Sequence, residues 1–171
     1  TLSGIEKNIA DAKEAARPSN IKITKITTPK CSDCFNLEDA VATLKKQNVS
    51  VGEEKVVVFD SSEGQFLIKQ FGLQRVPTYI VTGEVNKKNI EGFIKSNGEV
   101  KDDTFIFTKV SPIFIATDTK KEMGKVVATI LTDPTCTQCI DPKLTLEAYK
   151  KAGIKITDEK EIVWNSPEGQ Q

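Results

Sequence analysis

The 171-residue sequence contains no histidine, and this absence removes several kinds of chemistry. Without an imidazole the chain cannot form a Ser-His or Cys-His nucleophile pair, use histidine as a general acid or base, or bind a metal through histidine. Long apolar runs are also missing, since no stretch approaches the roughly 18 consecutive apolar residues of a membrane span. The 24 basic and 24 acidic residues cancel. This balance argues against a nucleic-acid binder, which normally carries a basic excess.

Cysteine is scarce, and its four residues form two C-x-x-C motifs, Cys31 with Cys34 and Cys136 with Cys139. As disulfides, cysteines this close along the chain close only small loops and restrain the fold little. Stapled secreted domains use more widely scattered cysteines. The motifs therefore indicate redox chemistry or metal binding.

The sequence contains an internal repeat. Residues 21–66 align with residues 126–171 without a gap, and about 14 of the 46 aligned positions are identical. Both copies contain the pattern Thr-x-Pro-x-Cys-x-x-Cys, which begins at Thr27 and again at Thr132. The first copy continues beyond Phe66, whereas the second stops at the same point. We therefore expect a duplicated unit whose second copy is truncated.

The spacing of apolar residues predicts an α/β fold of alternating strands and helices. Because helices separate the first three strands of the first unit, we expect these strands to pair in parallel. The apolar run Val56–Phe59 predicts a strand buried on both faces, and Phe66 and Trp164 are expected in the core. The predicted divisions are an N-terminal helix (1–20), a first unit (21–96), a β-rich connecting region (97–125) and a second unit (126–171).

Each C-x-x-C motif lies between a predicted strand and the predicted start of a helix. Backbone N–H groups at a helix N-terminus stabilise an anion, so a thiolate there has a lowered pKa. The first cysteines, Cys31 and Cys136, are the expected nucleophiles, because they should be more exposed and nearer the positive helix end. The second cysteines, Cys34 and Cys139, would then attack the mixed disulfide and release the substrate.

The strand–C-x-x-C–helix order, followed by Val76-Pro77-Thr78 ahead of another strand, resembles the thioredoxin superfamily. The tandem arrangement also resembles protein disulfide isomerases and two-unit protein disulfide oxidoreductases. The resemblance implies a thioredoxin-like fold of three α/β/α layers in each unit. It also implies that Pro77 is cis and that Val76 and Pro77 form a substrate-binding face. The chain departs from the family where thioredoxins carry a buried acid, because Lys25 and Ile130 take those positions.

The sequence therefore favours a thiol–disulfide oxidoreductase that acts on protein disulfides through two C-x-x-C sites and needs no cofactor. The expected partners are protein thiols or disulfides and a redox partner protein, with no nucleic acid. Two alternatives stay open. One is a non-catalytic thioredoxin-like module that binds peptides. The other is zinc or copper binding through the cysteine pairs, although zinc ribbons usually place their two pairs closer together.

The ends of the chain and the residues between the cysteines give two further expectations. Because Met123 is the only methionine, Thr1 is not a natural start. We expect an extracytoplasmic protein with a membrane tether upstream, and a trimmed cytoplasmic protein is the alternative. Asp33 lies between the cysteines of the first motif only, and a nearby anion disfavours a thiolate. We therefore expect a higher thiol pKa at Cys31 than at Cys136.

Overall fold

The computed structural model describes residues 2–171, with side chains described from Gly4 onward. None of the helices in this part of the chain has both the length and the apolar character that a membrane span requires. The helices are α1 (Leu2–Ala16), α2 (Leu37–Lys45), α3 (Ser62–Phe71), α4 (Glu91–Asn97) and α5 (Pro142–Lys151). The strands are β1 (Ser19–Thr27), β2 (Val49–Val58), β3 (Arg75–Val76), β4 (Thr78–Gly83), β5 (Gly98–Lys101), β6 (Thr104–Phe107), β7 (Phe114–Ala116), β8 (Glu122–Met123), β9 (Val126–Thr132) and β10 (Ile156–Val163).

The chain divides into two compact units, Thr1–Lys121 and Glu122–Gln171. The first unit contains a five-stranded mixed sheet in the order β2-β1-β4-β6-β5. In the second unit, β9 and β10 form a two-stranded parallel sheet, and α5 connects them. The protein is therefore mixed α/β, as the sequence predicts.

The third strand of the first unit runs opposite to the predicted direction. Strands β1 and β2 are parallel, as expected, but β4 pairs with β1 in the antiparallel sense. After α3, the segment from Gly72 to Pro77 returns the chain to the end of the sheet where β1 finishes. Strand β4 therefore begins with Thr78 opposite Ile26, close to the loop that carries Cys31. A pattern of alternating helices and strands does not show this reversal.

The apolar residues of the sheet pack alternately on its two faces. Ile21, Tyr79 and Phe105 belong to a core with α2 and α4, whereas Ile26 and Ile80 belong to a core with α3. This alternation follows from the two-residue period of a β-strand. Helices therefore cover both faces of the sheet in the first unit.

Three predictions of burial were wrong. Val56 and Val58 are 57% and 43% exposed, because β2 is an edge strand and only its other face, with Val57, is covered. Phe66 is 63% exposed on α3, where the buried side is formed by Gly64 and Phe71. Trp164 is 48% exposed, although its aligned counterpart Phe59 is 3% exposed. Hydrophobic character alone does not show which face of an element is covered.

Candidate functional site

The first cysteine pair forms a disulfide in the loop between β1 and α2. Cys31 and Cys34 have Cα atoms 5.4 Å apart and are both half-buried. They pack against the core that includes Ile26, Phe59 and Val76. The disulfide therefore lies at the surface, above one of the two cores, where a partner molecule can reach it.

The second pair forms a disulfide in the equivalent loop, between β9 and α5. The Cα atoms of Cys136 and Cys139 are 5.5 Å apart. Cys136 is half-buried and Cys139 is exposed. The first cysteine was expected to be the more exposed of each pair. In the second unit the order is the reverse.

The cysteines lie ahead of the helices and not in their first turns. Helix α2 begins at Leu37, and its N-cap Asn36 accepts a hydrogen bond from the N–H of Glu38 (3.1 Å). Cys31 is more than a helical turn before this cap. The field of a helix N-terminus falls off within about one turn, so it contributes little at Cys31. In the second unit an anionic residue, Asp141, caps α5.

The framework around the two loops is made of the same contacts at aligned positions. The N–H of Phe59 donates to the carbonyl of Thr27 (2.7 Å), and the N–H of Trp164 donates to the carbonyl of Thr132 (2.9 Å). Each bond ties the residue after β2 or β10 to the strand that leads into the cysteine loop. Further matched contacts are the hydrogen bonds Gly64–Ser61 and Gly169–Ser166, Gln65–Phe59 and Gln170–Trp164, and the ion pairs Lys45–Glu54 and Lys150–Glu159, Lys55–Glu63 and Lys160–Glu168.

Lys30, directly before the first cysteine pair, is already in an ion pair. Lys30 contacts the carboxylate of Asp60 at 2.6 Å, and Lys120 approaches the same carboxylate at 3.9 Å. The hydrogen bond from Lys30 lowers the pKa of Asp60, with a smaller contribution from Lys120. Because Lys30 is paired with Asp60, it stabilises a thiolate in the neighbouring cysteine loop less than an unpaired lysine would.

Lys25, on β1, is buried and paired. Its Nζ atom contacts carboxylate oxygens of Glu38 and Glu54, both at 2.8 Å. The hydrogen bonds to Glu38 and then Glu54 raise the pKa of Lys25. This lysine therefore stays protonated at neutral pH and cannot accept a proton from a thiol there.

Val76 and Pro77 lie at the cysteine end of the first unit. Their peptide bond is cis, as the resemblance implies. Val76 is fully buried in the same core that the first disulfide packs against. Strand β3 pairs with β7, with Val76 opposite Ile115. Because the N–H of Thr117 donates to the carbonyl of Gln74 (3.0 Å), the antiparallel alternation makes Val76 and Ile115 a hydrogen-bonded pair.

A segment that the sequence did not assign to the site also touches the cysteine loop. The N–H of Phe35, directly after Cys34, donates to the carbonyl of Ile113 (2.7 Å). Ile113 is fully buried, and Ile115 belongs to the core beneath the disulfide. Only a long-range contact places this segment at the site, so no local sequence signal could have identified it.

In the second unit, Asp133 and Trp164 are at the site and were not predicted there. The Asp133 carboxylate accepts hydrogen bonds from the N–H (2.9 Å) and hydroxyl (2.6 Å) of Thr135. Trp164 also helps to lower the pKa of this carboxyl. The sequence Asp-Pro-Thr is a turn signal that could have indicated the first of these contacts.

Metal ligands do not cluster in the described part of the chain. No group of three or more Cys, Asp or Glu side chains within residues 2–171 is placed to hold a metal ion. Each cysteine pair belongs to its own compact unit. A metal bound here would need ligands other than those of a single pair.

Two comparisons with known proteins gave no match. No protein-family model matches the chain, and no curated protein matches it significantly.

Proposed function

We propose that the protein is a thiol–disulfide oxidoreductase with two C-x-x-C sites. The observation that carries the proposal is that both cysteine pairs are joined as disulfides at the surface, in the same strand–loop–helix setting. A disulfide between residues so close in sequence contributes little to the stability of a fold. Its reversible chemistry is the more plausible reason for two such pairs in one chain.

We also propose that the first unit has a thioredoxin-like fold. Two features of the sheet support this: the parallel pair β1–β2 around the cysteine loop, and the antiparallel strand β4 beside β1. Helices cover both faces of the sheet, which gives three layers. The features come from different parts of the unit and are independent of one another.

A duplication is proposed as the origin of the second unit. The matched contacts involve main-chain bonds, caps and ion pairs, and each occurs at the aligned position. Conserved apolar character would produce similar packing, but it would not reproduce specific polar bonds. Residues 126–171 are thus proposed to repeat the architecture of residues 21–66.

In the proposed reaction, the reduced protein transfers two electrons from one cysteine pair to a client disulfide. The Cys31 thiolate attacks one client sulfur, forms a mixed disulfide and releases the other client sulfur as a thiolate, which takes up a proton. The thiolate of Cys34 then attacks the Cys31 sulfur, so the Cys31–Cys34 disulfide forms and the second client thiol leaves. Cys136 and Cys139 would act in the same way, and a redox partner protein would reduce each pair again. The reverse sequence oxidises a client dithiol.

Val76 and Pro77 are proposed to form the wall beside the first disulfide. Val76 shares a core with Cys31 and Cys34, so these residues fix the shape of the surface that a client meets. The backbone of Val76 is already paired with Ile115. A client that added a strand at this position would first have to separate β7 from β3.

The proposed function is tested by trapping the mixed disulfide. Cys34→Ser and Cys139→Ser variants lack the resolving thiol, so each should remain covalently attached to a client with a reducible disulfide, such as insulin. The matched controls Cys31→Ser and Cys136→Ser should form less adduct. Reduced wild-type protein should turn over the same client when thiols regenerate it.

Three results would contradict the proposal. One is the absence of adduct with both resolving-cysteine variants. Another is peptide binding that is equally tight when all four cysteines are replaced by serine, which would indicate a non-catalytic module. The third is stoichiometric zinc or copper in freshly purified protein, with the thiols protected from alkylation.

A further inference from the structure

A single carboxylate, Asp133, is fixed in the turn that leads to Cys136. Its Oδ1 atom accepts the N–H of Thr135 at 2.9 Å and the hydroxyl of Thr135 at 2.6 Å. The N–H of Cys136 donates to the carbonyl oxygen of Asp133 at 3.1 Å. These bonds hold the charged group on the turn that carries the cysteine, so it cannot swing freely into solvent.

The carboxylate is ionised at neutral pH. The hydrogen bonds from the Thr135 side chain and backbone, with smaller contributions from Trp164 and Cys136, hold the pKa of Asp133 below its usual range. The negative charge is therefore present whenever a Cys136 thiolate forms near neutrality.

The first unit builds the same turn without this charge. Thr28 is aligned with Asp133, and its hydroxyl accepts the N–H of Lys30 at 3.3 Å. A neutral oxygen thus makes the bond that the carboxylate makes in the second unit. The position after the proline also differs, since Lys30 is aligned with Thr135. The two loops differ in charge while they share the hydrogen bond that forms the turn.

The other charged groups at this end of the second unit do not cancel Asp133. Asp141 is an anion at the N-cap of α5. On β10, Glu161 pairs with Lys143 of α5 at 2.8 Å. This cation is therefore committed to another carboxylate, and strand β9 carries no charged side chain.

We propose that Asp133 is a positioning residue that disfavours the Cys136 thiolate and so slows the second cysteine pair as a nucleophile at neutral pH. A nearby like charge disfavours ionisation of a thiol. The prediction made from Asp33 did not include this second carboxylate, which acts on the other cysteine pair. The proposal refines the role of a site in the proposed function, but the thiol property it concerns can be measured without any client.

The test is the pH dependence of alkylation in the full reduced chain. In this reaction the thiolate sulfur displaces iodide from iodoacetamide, so the rate follows the thiolate fraction. Mass spectrometry of proteolytic fragments reports Cys31 and Cys136 separately in one sample. The variant Asp133→Thr keeps a hydroxyl acceptor as in the first unit and removes the charge, and Asp133→Asn removes the charge with little change in shape.

Both variants should move the alkylation profile of Cys136 to lower pH and raise its rate near pH 7 about threefold to fivefold, as expected for one like charge near a protein surface. The rate at Cys31 is the internal control and should not change. The reciprocal variant Thr28→Asp should slow Cys31 by a similar factor.

The proposal is overturned if the Cys136 profile stays at the same pH in both Asp133 variants, or if either variant moves it to higher pH. If Asp133 only held the turn in shape, the alkylation rates of Cys136 in Asp133→Asn and Asp133→Thr would differ from each other, and the pH midpoint of the Cys136 profile would stay in place. Failure of client trapping, with the alkylation shift intact, would contradict the proposed function and leave the role of Asp133 standing.

Discussion

Gly64, in the first turn of α3, is packed too closely against β2 to accept a side chain. A Cβ atom at this position would lie 2.3 Å from the carbonyl oxygen of Val58 and 2.7 Å from that of Phe59. Both obstacles are main-chain atoms, so they cannot rotate away as a side chain would. We therefore expect Gly64→Ala to push the start of α3 away from the end of the strand. Gly92, on α4, is the matched control, because a Cβ there meets nothing within 4 Å.

The cost can be estimated from the contacts that would be lost. Overpacking of this kind costs about 1–3 kcal/mol. The displacement also breaks the bond from the Gly64 N–H to the Ser61 hydroxyl (3.0 Å) and strains the bond from Gln65 to the Phe59 carbonyl (2.8 Å), each worth about 1 kcal/mol net. We expect Gly64→Ala to lower the free energy of unfolding by about 3 kcal/mol. Gly92→Ala should raise it by about 0.5 kcal/mol, since alanine favours a helix.

Hydrogen exchange measured peptide by peptide is the suitable assay, because it assigns the loss to one unit. A loss of about 3 kcal/mol corresponds to roughly 100-fold faster exchange for amides that exchange by opening of the unit. The effect should occur in fragments from the first unit. Gly169→Ala should act in the same way on the second unit, since its Cβ would lie 2.4 Å from the Val163 carbonyl oxygen. Equal exchange in Gly64→Ala and Gly92→Ala would refute the steric argument.

Three further predictions concern other parts of the chain. The hydroxyl of Tyr79 is buried and makes no hydrogen bond, so Tyr79→Phe should raise the free energy of unfolding by about 1 kcal/mol in urea denaturation; a loss of stability would contradict this. The hydrogen bond from Arg17 and, to a smaller extent, that from the Asn20 N–H hold the pKa of Glu84 at about 2, against an ordinary value of 4.5. The stability that this ionised group contributes is therefore present above pH 4.5 and is lost as the pH falls towards 2. Glu84→Gln should therefore flatten the acid dependence of unfolding, and an unchanged slope would count against the pair. Trp164 is the only tryptophan, and its N–H bonds to the carbonyl of Thr132, on the strand that leads to the second pair. Reduction should therefore change tryptophan emission in Cys31→Ser but not in Cys136→Ser.

The order of strands and helices could be predicted because it depends on local patterns. The alternation of Ile21 and Ile23 and the helical spacing of Leu37, Val41 and Leu44 indicate elements whose apolar sides are indeed buried. The direction of β4 could not be predicted in this way. It depends on the path of the chain from Gly72 to Pro77, which local periodicity does not describe.

Part of the candidate site could be predicted because it also depends on a local sequence pattern. The cysteine pairs are recognised from their spacing, and the pairs are joined as expected for C-x-x-C motifs. The N-caps Asn36 and Asp141 lie two residues after the second cysteine of each pair, so each motif precedes its helix. The bond between Phe35 and Ile113 joins residues far apart in sequence. Such a contact depends on tertiary structure and leaves no local signature.

The main-chain bonds from Phe59 to Thr27 and from Trp164 to Thr132 have a consequence for how this chain can change. They close the base of each cysteine loop with main-chain atoms that every amino acid except proline possesses. Substitutions inside residues 28–36 or 133–141 therefore leave these two bonds intact. The two loops should therefore be exchangeable. Replacing one loop by the other should transfer the reactivity of its cysteines to the new unit. The sequences of the two cysteine loops can thus become different while the strands and helices that carry them stay the same.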